Sequence, residues 1–118
     1  MKESEIRVRA KKLAVRIISE CETIGASCGR SVLINQIIRS STSIGANVYE
    51  ANYAASKADF INKLQIALKE CYETEYWIDM LQSTGCFEQS LAEDLLQESG
   101  TIRRMLVKAI NTTKSVLN

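Results

Sequence analysis

The amino-acid sequence predicts an all-α protein: an antiparallel four-helix bundle with up-down-up-down topology. The chain of 118 residues has no proline and only 5 glycines, so few residues would interrupt a helix. Apolar residues recur at steps of three and four in four long stretches, which is the pattern of amphipathic helices. Short turns join the stretches, and such turns make consecutive helices antiparallel neighbours. We expect residues 1–118 to form a single domain, since domains most often have about 100–150 residues.

The first helix is predicted over residues 4–24. Its apolar residues are spaced so that they fall on one face of the helix. They are Ile6, Ala10, Leu13, Ala14, Ile17, Cys21 and Ile24. The glycine-containing segment 25–29 then predicts a turn.

The second helix is predicted over residues 31–54, and its apolar surface is unusually wide. One face carries Leu33, Ile37, Ser40, Ile44, Val48 and Ala51. Ile34, Ile38 and Tyr49 extend the apolar arc to about half of the circumference, whereas one contact face needs only about 100°. A second buried contact is the simplest explanation. We therefore expect these three residues to lie in a contact between copies of the chain.

The third helix is predicted to begin after Ser56, whose hydroxyl can cap a free amide, and Asp59 three residues on is favourable in the first turn. Its apolar residues follow at helical spacing, and Gly85 is expected to end the helix. The face consists of Phe60, Leu64, Ala67, Leu68, Cys71 and Ile78.

The fourth helix is predicted to begin at the capping box Ser90-Leu91-Ala92-Glu93. Its apolar residues are Leu91, Leu95, Ile102, Leu106, Ala109, Thr113 and Val116, the threonine included for its place on the same face. Gly100 interrupts this helix at a cost of about 1 kcal/mol relative to alanine. We expect a close contact with another helix to compensate.

A line of polar residues runs beside the apolar face of the second helix. It consists of Gln36, Arg39, Ser43, Asn47 and Glu50. The line either faces solvent or forms a buried or half-buried network. In that network Arg39 pairs with Glu50 of another turn or chain, or with Glu73 or Glu75 of the third helix. Arg39 and Glu50 are separated by about 16 Å along one helix, which is too far for a direct bond. Glu75 lies on the apolar face of the third helix, where an unpaired carboxylate is costly. We favour a bond between Arg39 and a carboxylate of another helix or subunit, which sets the register of helices or subunits.

The same region carries a resemblance to a known family. Residues 36–50 read QIIRSSTSIGANVYE, and Phe60, Leu64, Ile66, Ala67, Glu73, Glu75 and the segment Arg104-Met105-Leu106 follow. This pattern resembles the bacterial ribosomal-RNA (23S) intervening-sequence proteins, whose signature includes Q-x-x-R, S-I-x-x-N-I-x-E and a later A-x-x-x-x-x-E-x-E.

The resemblance implies a cytosolic four-helix bundle that assembles into a ring-like homo-oligomer, a pentamer, without an established enzymatic activity. It also implies that Gln36, Arg39, Ser43, Asn47, Glu50, Glu73 and Glu75 form the polar network of that family. A related bundle is the accessory variability protein of diversity-generating retroelements, a basic pentamer that works with a reverse transcriptase and RNA.

Charge is distributed unevenly along the predicted bundle, although the net charge is only +1. Segments 1–16, 41–65 and 101–118 meet at one end with twelve basic and four acidic residues, a net charge of +8. Segments 17–40 and 66–100 meet at the other end with three basic and ten acidic residues, a net charge of −7. The basic region consists of Arg7, Arg9, Lys11, Lys12, Arg16, Arg103, Arg104, Lys108 and Lys114.

This basic region has two possible roles. It can bind the phosphate backbone of RNA or DNA without reading the bases. Alternatively, it is a solvated face whose charge follows the preferences of helix ends. Aromatic residues are not interleaved with the basic positions in the sequence, which argues against stacking on the bases of a single strand.

No catalytic residue, cofactor or metal site is predicted. The absence of histidine removes the usual general base and the commonest metal ligand, and no nucleophile motif or phosphate loop is present. A zinc site would need all four cysteines. We interpret Cys21 and Cys71 as core residues and place Cys28 and Cys86 in loops, where a reducing compartment disfavours a disulfide.

The sequence also predicts a cytoplasmic protein. The charged N-terminus is followed by no apolar signal segment, and no stretch approaches the roughly 20 apolar residues of a membrane span. We expect no membrane association and no small-molecule substrate. The favoured function is a non-enzymatic homo-oligomer that binds nucleic acid through its basic end. The alternative is a protein-interaction scaffold or adaptor with no nucleic-acid role.

Overall fold

The protein is an all-α bundle, as the sequence predicts. A computed structural model describes the backbone of residues 2–25 and 29–117 and the side chains of residues 5–25 and 29–115. Its helices are α1 (Lys2–Ile24), α2 (Ser31–Ala51), α3 (Lys57–Ser83) and α4 (Gln89–Leu117). The described residues include no β-strand.

Ion pairs between helices show the antiparallel arrangement. Arg39 and Glu50 of α2 bind Glu73 and Lys63 of α3, respectively. The residue numbers of the partners fall along α3 as they rise along α2, so the two helices run in opposite directions. Each helix packs on its neighbour in sequence, and α1 also packs on α4. The packing is most extensive between α2 and α3 and least extensive between α1 and α4.

The core lies along the axis of this elongated molecule, which measures 51 × 22 × 19 Å. The predicted apolar face of α1 is buried from Ile6 to Cys21. The core adds Ile61, Leu81, Phe87, Ala92 and Ile110, which the apolar faces predicted from sequence did not include. Phe60 and Leu68, predicted in the face of α3, are partly buried against the core. Val116 lies outside the described side chains.

The turn between α2 and α3 is fixed by reciprocal capping bonds. Ser56 Oγ accepts a hydrogen bond from the amide of Asp59 at 3.1 Å, and Asp59 Oδ2 accepts one from the amide of Ala55 at 3.1 Å. This confirms the predicted start of α3. Helix α2 ends at Ala51 rather than at residue 54.

The turn between α3 and α4 differs in part from prediction. Gly85 has a φ of +83°, the left-handed conformation that ends helices and suits glycine, as predicted. The prediction that Ser90 caps α4 is wrong, because α4 already begins at Gln89. The carbonyl of Glu88 accepts a bond from the amide of Ala92, so Ser90 lies inside the first turn. Phe87 is buried just before the helix and anchors this earlier start.

Two glycines inside helices have different surroundings. A Cβ atom at Gly45 would lie 3.5 Å from Cβ of Ala10, so Gly45 marks the close approach of α2 to α1. The atoms nearest to a Cβ atom at Gly100 would be guanidinium nitrogens of Arg103 and Arg104, each at 3.3 Å. These nearest side chains belong to the same helix as Gly100, which is itself buried, so the close contact with another helix stays a prediction.

A buried pair of hydroxyls joins α2 to α3. Ser40 and Thr74 are both fully buried, and their oxygen atoms are 2.9 Å apart. Thr74 Oγ1 also lies 2.8 Å from the carbonyl oxygen of Glu70, and Ser40 Oγ lies 3.3 Å from that of Ile37. Each hydroxyl has one hydrogen to donate, so one bond must join the two side chains while another returns to a helix backbone.

The cysteines fall into two groups. Cys21 and Cys71 are free thiols in the core, where burial raises their pKa to about 11 and about 12. Cys86 is disulfide-bonded, contrary to the expectation that no disulfide forms in the loops. It follows the turn at Gly85, next to the end of α1. Cys28 lies outside the described residues.

Candidate nucleic-acid interface

The basic region divides into paired and unpaired cations. Arg16 of α1 binds two carboxylates of α4, Asp94 at 2.7 Å and Glu98. The hydrogen bond with Asp94 is the main reason that the pKa of Arg16 is raised. Arg103 Nε donates to Glu75 Oε2 at 3.0 Å. Arg16 joins α1 to α4 and Arg103 joins α4 to α3, so these two arginines are poor candidates for a phosphate contact.

A third cation has a weaker partner. Arg9 lies 3.4 Å from Glu5 on the same helix, and both side chains are about half exposed. The other six cations of the basic region have no acidic partner within the described side chains. They are Arg7, Lys11, Lys12, Arg104, Lys108 and Lys114, and all six are exposed. Their charge is available to a ligand.

The helix ends predicted to meet do so in the structure. Glu5 and Ile6 of α1, Phe60 of α3 and Lys108 of α4 line a common pocket. The start of α1 and the end of α4 therefore lie together beside the start of α3. Antiparallel packing thus brings cations that are distant in sequence to one end of the molecule.

An aromatic pair also lies at this end, contrary to the expectation from sequence. The rings of Tyr49 and Tyr53 have centroids 5.5 Å apart and planes inclined at 54°. The guanidinium carbon of Arg7 lies 5.8 Å from the centroid of Tyr49, within the range of a cation–π interaction. A hydrogen bond with Tyr49 raises the pKa of Tyr53. The sequence does not reveal this arrangement, because Arg7 lies on α1 whereas Tyr49 lies on α2 and Tyr53 lies just after it.

Glu75 forms a second, partly buried group with residues of α4. Its carboxylate accepts a hydrogen bond from Ser99 Oγ at 2.9 Å as well as the bond from Arg103. Arg103 also lies 5.4 Å from the ring centroid of Tyr72. The hydrogen bond with Glu75 raises the pKa of Arg103. The suggestion that Glu75 pairs with Arg39 is therefore wrong, because its side chain faces α4.

Arg39 instead binds other carboxylates of α3. Its guanidinium pairs with Glu73 and lies 3.3 Å from Glu70 Oε1, and its Nε donates to Gln36 Oε1 at 2.9 Å. Trp77 Nε1 also donates to Glu73 Oε2 at 2.9 Å. Of these partners, the predicted set included Gln36 and Glu73 but not Glu70 or Trp77. Both missed residues lie one turn of α3 from Glu73, a spacing that could have suggested them.

The rest of the polar line has separate partners. Ser43 Oγ donates to the carbonyl of Arg39, and Asn47 Nδ2 donates to the carbonyl of Ser43, both at 2.8 Å. Glu50 Oε1 accepts from Lys63 Nζ at 2.8 Å. The residues implied by the resemblance therefore do not form one network in the structure. They form the Arg39 group, two bonds to the backbone of α2, the Glu50–Lys63 pair and the Glu75 group.

The three residues predicted at a contact between copies have different exposures. Ile34 and Ile38 are partly buried against the core of their own chain. Tyr49 is 49% exposed. In a bundle, α2 has two neighbours, α1 and α3, and this accounts for much of its wide apolar arc. The role of these residues in an oligomer stays a prediction.

Comparison with known proteins identifies the family. Residues 2–108 match the model of the 23S rRNA-intervening sequence protein family. The chain belongs to this family. It is also similar to a crystal structure described as a protein of unknown function from the S23 ribosomal protein family of Bacteroides thetaiotaomicron VPI-5482. The two share 40% sequence identity and a TM-score of 0.89, over 94% of this chain and 99% of that one. No protein with a curated description matches.

These comparisons confirm the resemblance found in the sequence and indicate no enzyme family. Within the described residues, no group of three or more cysteine, aspartate and glutamate side chains is placed to hold a metal ion. No helix in that part of the chain is long and apolar enough to cross a membrane. What the basic end offers chemically is exposed cationic side chains and exposed aromatic rings.

Proposed function

We propose that this protein is a non-enzymatic homo-oligomer that binds nucleic acid through the basic end of its bundle. The observation that carries the proposal is the group of six exposed cations without acidic partners in the described structure. Cations of this kind attract phosphates and release counterions on binding, which favours contact with the nucleic-acid backbone irrespective of sequence.

Exposed apolar side chains support the oligomer. Val32 on α2 is 70% exposed, and Val107 on α4 is 38% exposed. A closed ring needs two different surfaces on each protomer, one of which binds the other surface of the next copy. Helices α2 and α4 are not neighbours in the bundle, so these two residues lie on different sides, as a ring requires. The family resemblance favours five copies.

The test is binding of fluorescently labelled RNA and DNA, measured by anisotropy at several salt concentrations. The variant Arg104→Glu/Lys108→Glu should weaken binding at least tenfold, because it reverses two unpaired cations. Arg103 is left intact, since its loss would also break the bond to Glu75. The control is Lys69→Glu, which changes an exposed lysine in the acidic half of the chain.

Binding should weaken steeply as salt rises from 50 to 300 mM. Binding that is indifferent to salt, or that falls equally in the control variant, would contradict the proposal. Retention of a partner protein after nuclease treatment, with no affinity for RNA or DNA, would favour the protein-interaction scaffold. Light scattering after gel filtration tests the oligomer, and a stable monomer at high concentration would contradict that part.

A further inference from the structure

An exposed aromatic pair lies beside cations at the end of α2 and in the turn that follows it. Tyr49 is 49% exposed and Tyr53 is 75% exposed, although both are large rings. Arg7 of α1 lies over the ring of Tyr49. The nearest acidic residue in sequence, Glu50, is bound by Lys63 of α3. The pair therefore presents open ring surface in a cationic environment.

A shallow groove continues from this pair between α1 and α2. Ala10 and Gly45 bring the two helices close together, and the apolar side chains of Val8, Val15 and Ile18 line the groove beside them. Arg7 and Lys11 lie at its rim, and Tyr49 lies at one end. Both rim cations belong to the six that have no acidic partner among the described side chains.

We propose that Tyr49 and Tyr53 form a stacking platform for the unpaired bases of single-stranded RNA or DNA, whose phosphates contact Arg7 and Lys11. A ligand of this surface must offer flat apolar faces and negative charge at short intervals. Single strands offer both in every nucleotide, and their bases stack on aromatic side chains with little dependence on sequence. Duplex bases are already stacked on each other and have no free face for the tyrosines.

The inference rests on the proposed function and makes it more specific. Charge alone predicts binding of any nucleic acid, duplex included. The aromatic pair predicts a preference for single strands. It also assigns Tyr49 to a ligand rather than to a contact between copies, which the sequence had suggested.

The experiment compares a labelled single-stranded oligonucleotide of mixed sequence with a duplex of the same length, both titrated with the full chain. The variant Tyr49→Leu/Tyr53→Leu keeps apolar side chains at both positions while it removes the rings. It should weaken single-strand binding by about tenfold or more, since one base stack contributes on that order. Duplex binding should change less than twofold.

The control variant is Tyr76→Leu, which removes a ring of similar exposure, 56%, from the acidic half of the chain. It should leave both affinities unchanged. Light scattering of each variant shows whether assembly is altered, and circular dichroism shows whether the helices are retained.

Three results would overturn the inference. If the tyrosine variant binds single strands normally while Arg104→Glu/Lys108→Glu does not, the platform is wrong and the proposed function stands. If the tyrosine variant changes the size of the oligomer and not the affinity, another copy of the chain covers this surface. If the unaltered protein binds neither single strands nor duplex, the platform and the proposed function fail together.

Discussion

Replacement of Glu75 tests whether its bonds to α4 stabilise the bundle. Its side chain is 19% exposed and accepts hydrogen bonds from Arg103, which is 29% exposed, and from Ser99, which is fully buried. Glu75→Ala removes both bonds. Arg103 can still reach water, but the Ser99 hydroxyl loses its partner in the core.

The expected loss follows from these exposures. A hydrogen bond to a charged group contributes about 1.5–3 kcal/mol, and an orphaned buried hydroxyl costs about 1–3 kcal/mol. Because Arg103 is partly solvated, we take the lower ends and expect Glu75→Ala to reduce the free energy of unfolding by about 2 kcal/mol. For a chain of this size, that lowers the melting temperature by roughly 8 °C. Glu75→Gln, which keeps an acceptor, should cost about half as much.

Urea denaturation of Glu75→Gln, Arg103→Met and the double variant gives the coupling energy between the two side chains. We expect about 1 kcal/mol. The matched control is the Glu50–Lys63 pair, in which Glu50 is 56% exposed, and its coupling should be about 0.5 kcal/mol or less. A Glu75–Arg103 coupling no larger than that of the control would refute the reasoning.

Three further predictions concern other parts of the bundle. Gly45→Ala should raise the free energy of unfolding by about 0.5–1 kcal/mol, because the new methyl group makes an ordinary contact with Ala10 and alanine favours the helix. Thermal denaturation checks this. A lower melting temperature would mean that α1 and α2 are closer than described. Thr74→Val should lower the free energy of unfolding by about 1 kcal/mol. The double variant with Ser40→Ala should lose less stability than the two single variants together, because in each single variant the remaining hydroxyl has already lost its partner. Additive losses in urea denaturation would contradict the bond. Cys21 and Cys71 should resist alkylation in the folded protein up to about pH 10, because burial raises their pKa from an ordinary value of 9 to about 11 and about 12. Mass spectrometry after alkylation with and without denaturant checks this. Above pH 9 the unfolded chain loses these protons first, so the stability present below pH 9 should fall between pH 9 and about pH 12; rapid native labelling at pH 8 or a flat profile would contradict burial.

Helices and core were predictable because both depend on local patterns. Steps of three and four placed the apolar face of α1, and the serine–aspartate spacing at Ser56 placed the start of α3. The start of α4 was misplaced because Ser90 has the right neighbours for a cap, whereas Phe87 fixes the chain earlier through a tertiary contact. Sequence spacing does not reveal such a contact.

The partners of charged groups were harder to predict than their positions. Glu73 and Glu75 are two residues apart, which places them about 200° apart around a helix. They therefore face different neighbours: Glu73 binds α2 and Glu75 binds α4. The sequence allows either as a partner of Arg39, since it does not show on which side of α3 each neighbouring helix lies. The aromatic pair at the basic end was missed for the same reason, because Arg7 meets Tyr49 only through the packing of α1 on α2.

The unequal packing of the four helices sets the order in which the molecule can open. Helices α2 and α3 form the most extensively packed pair, and the seam between α1 and α4 is the least extensive. Transient separation begins where the fewest apolar contacts must be given up. The ion pairs of Arg16 with Asp94 and Glu98 join α1 to α4 and stabilise this contact. Thermal fluctuations should therefore part the first helix from the last while the central hairpin remains intact.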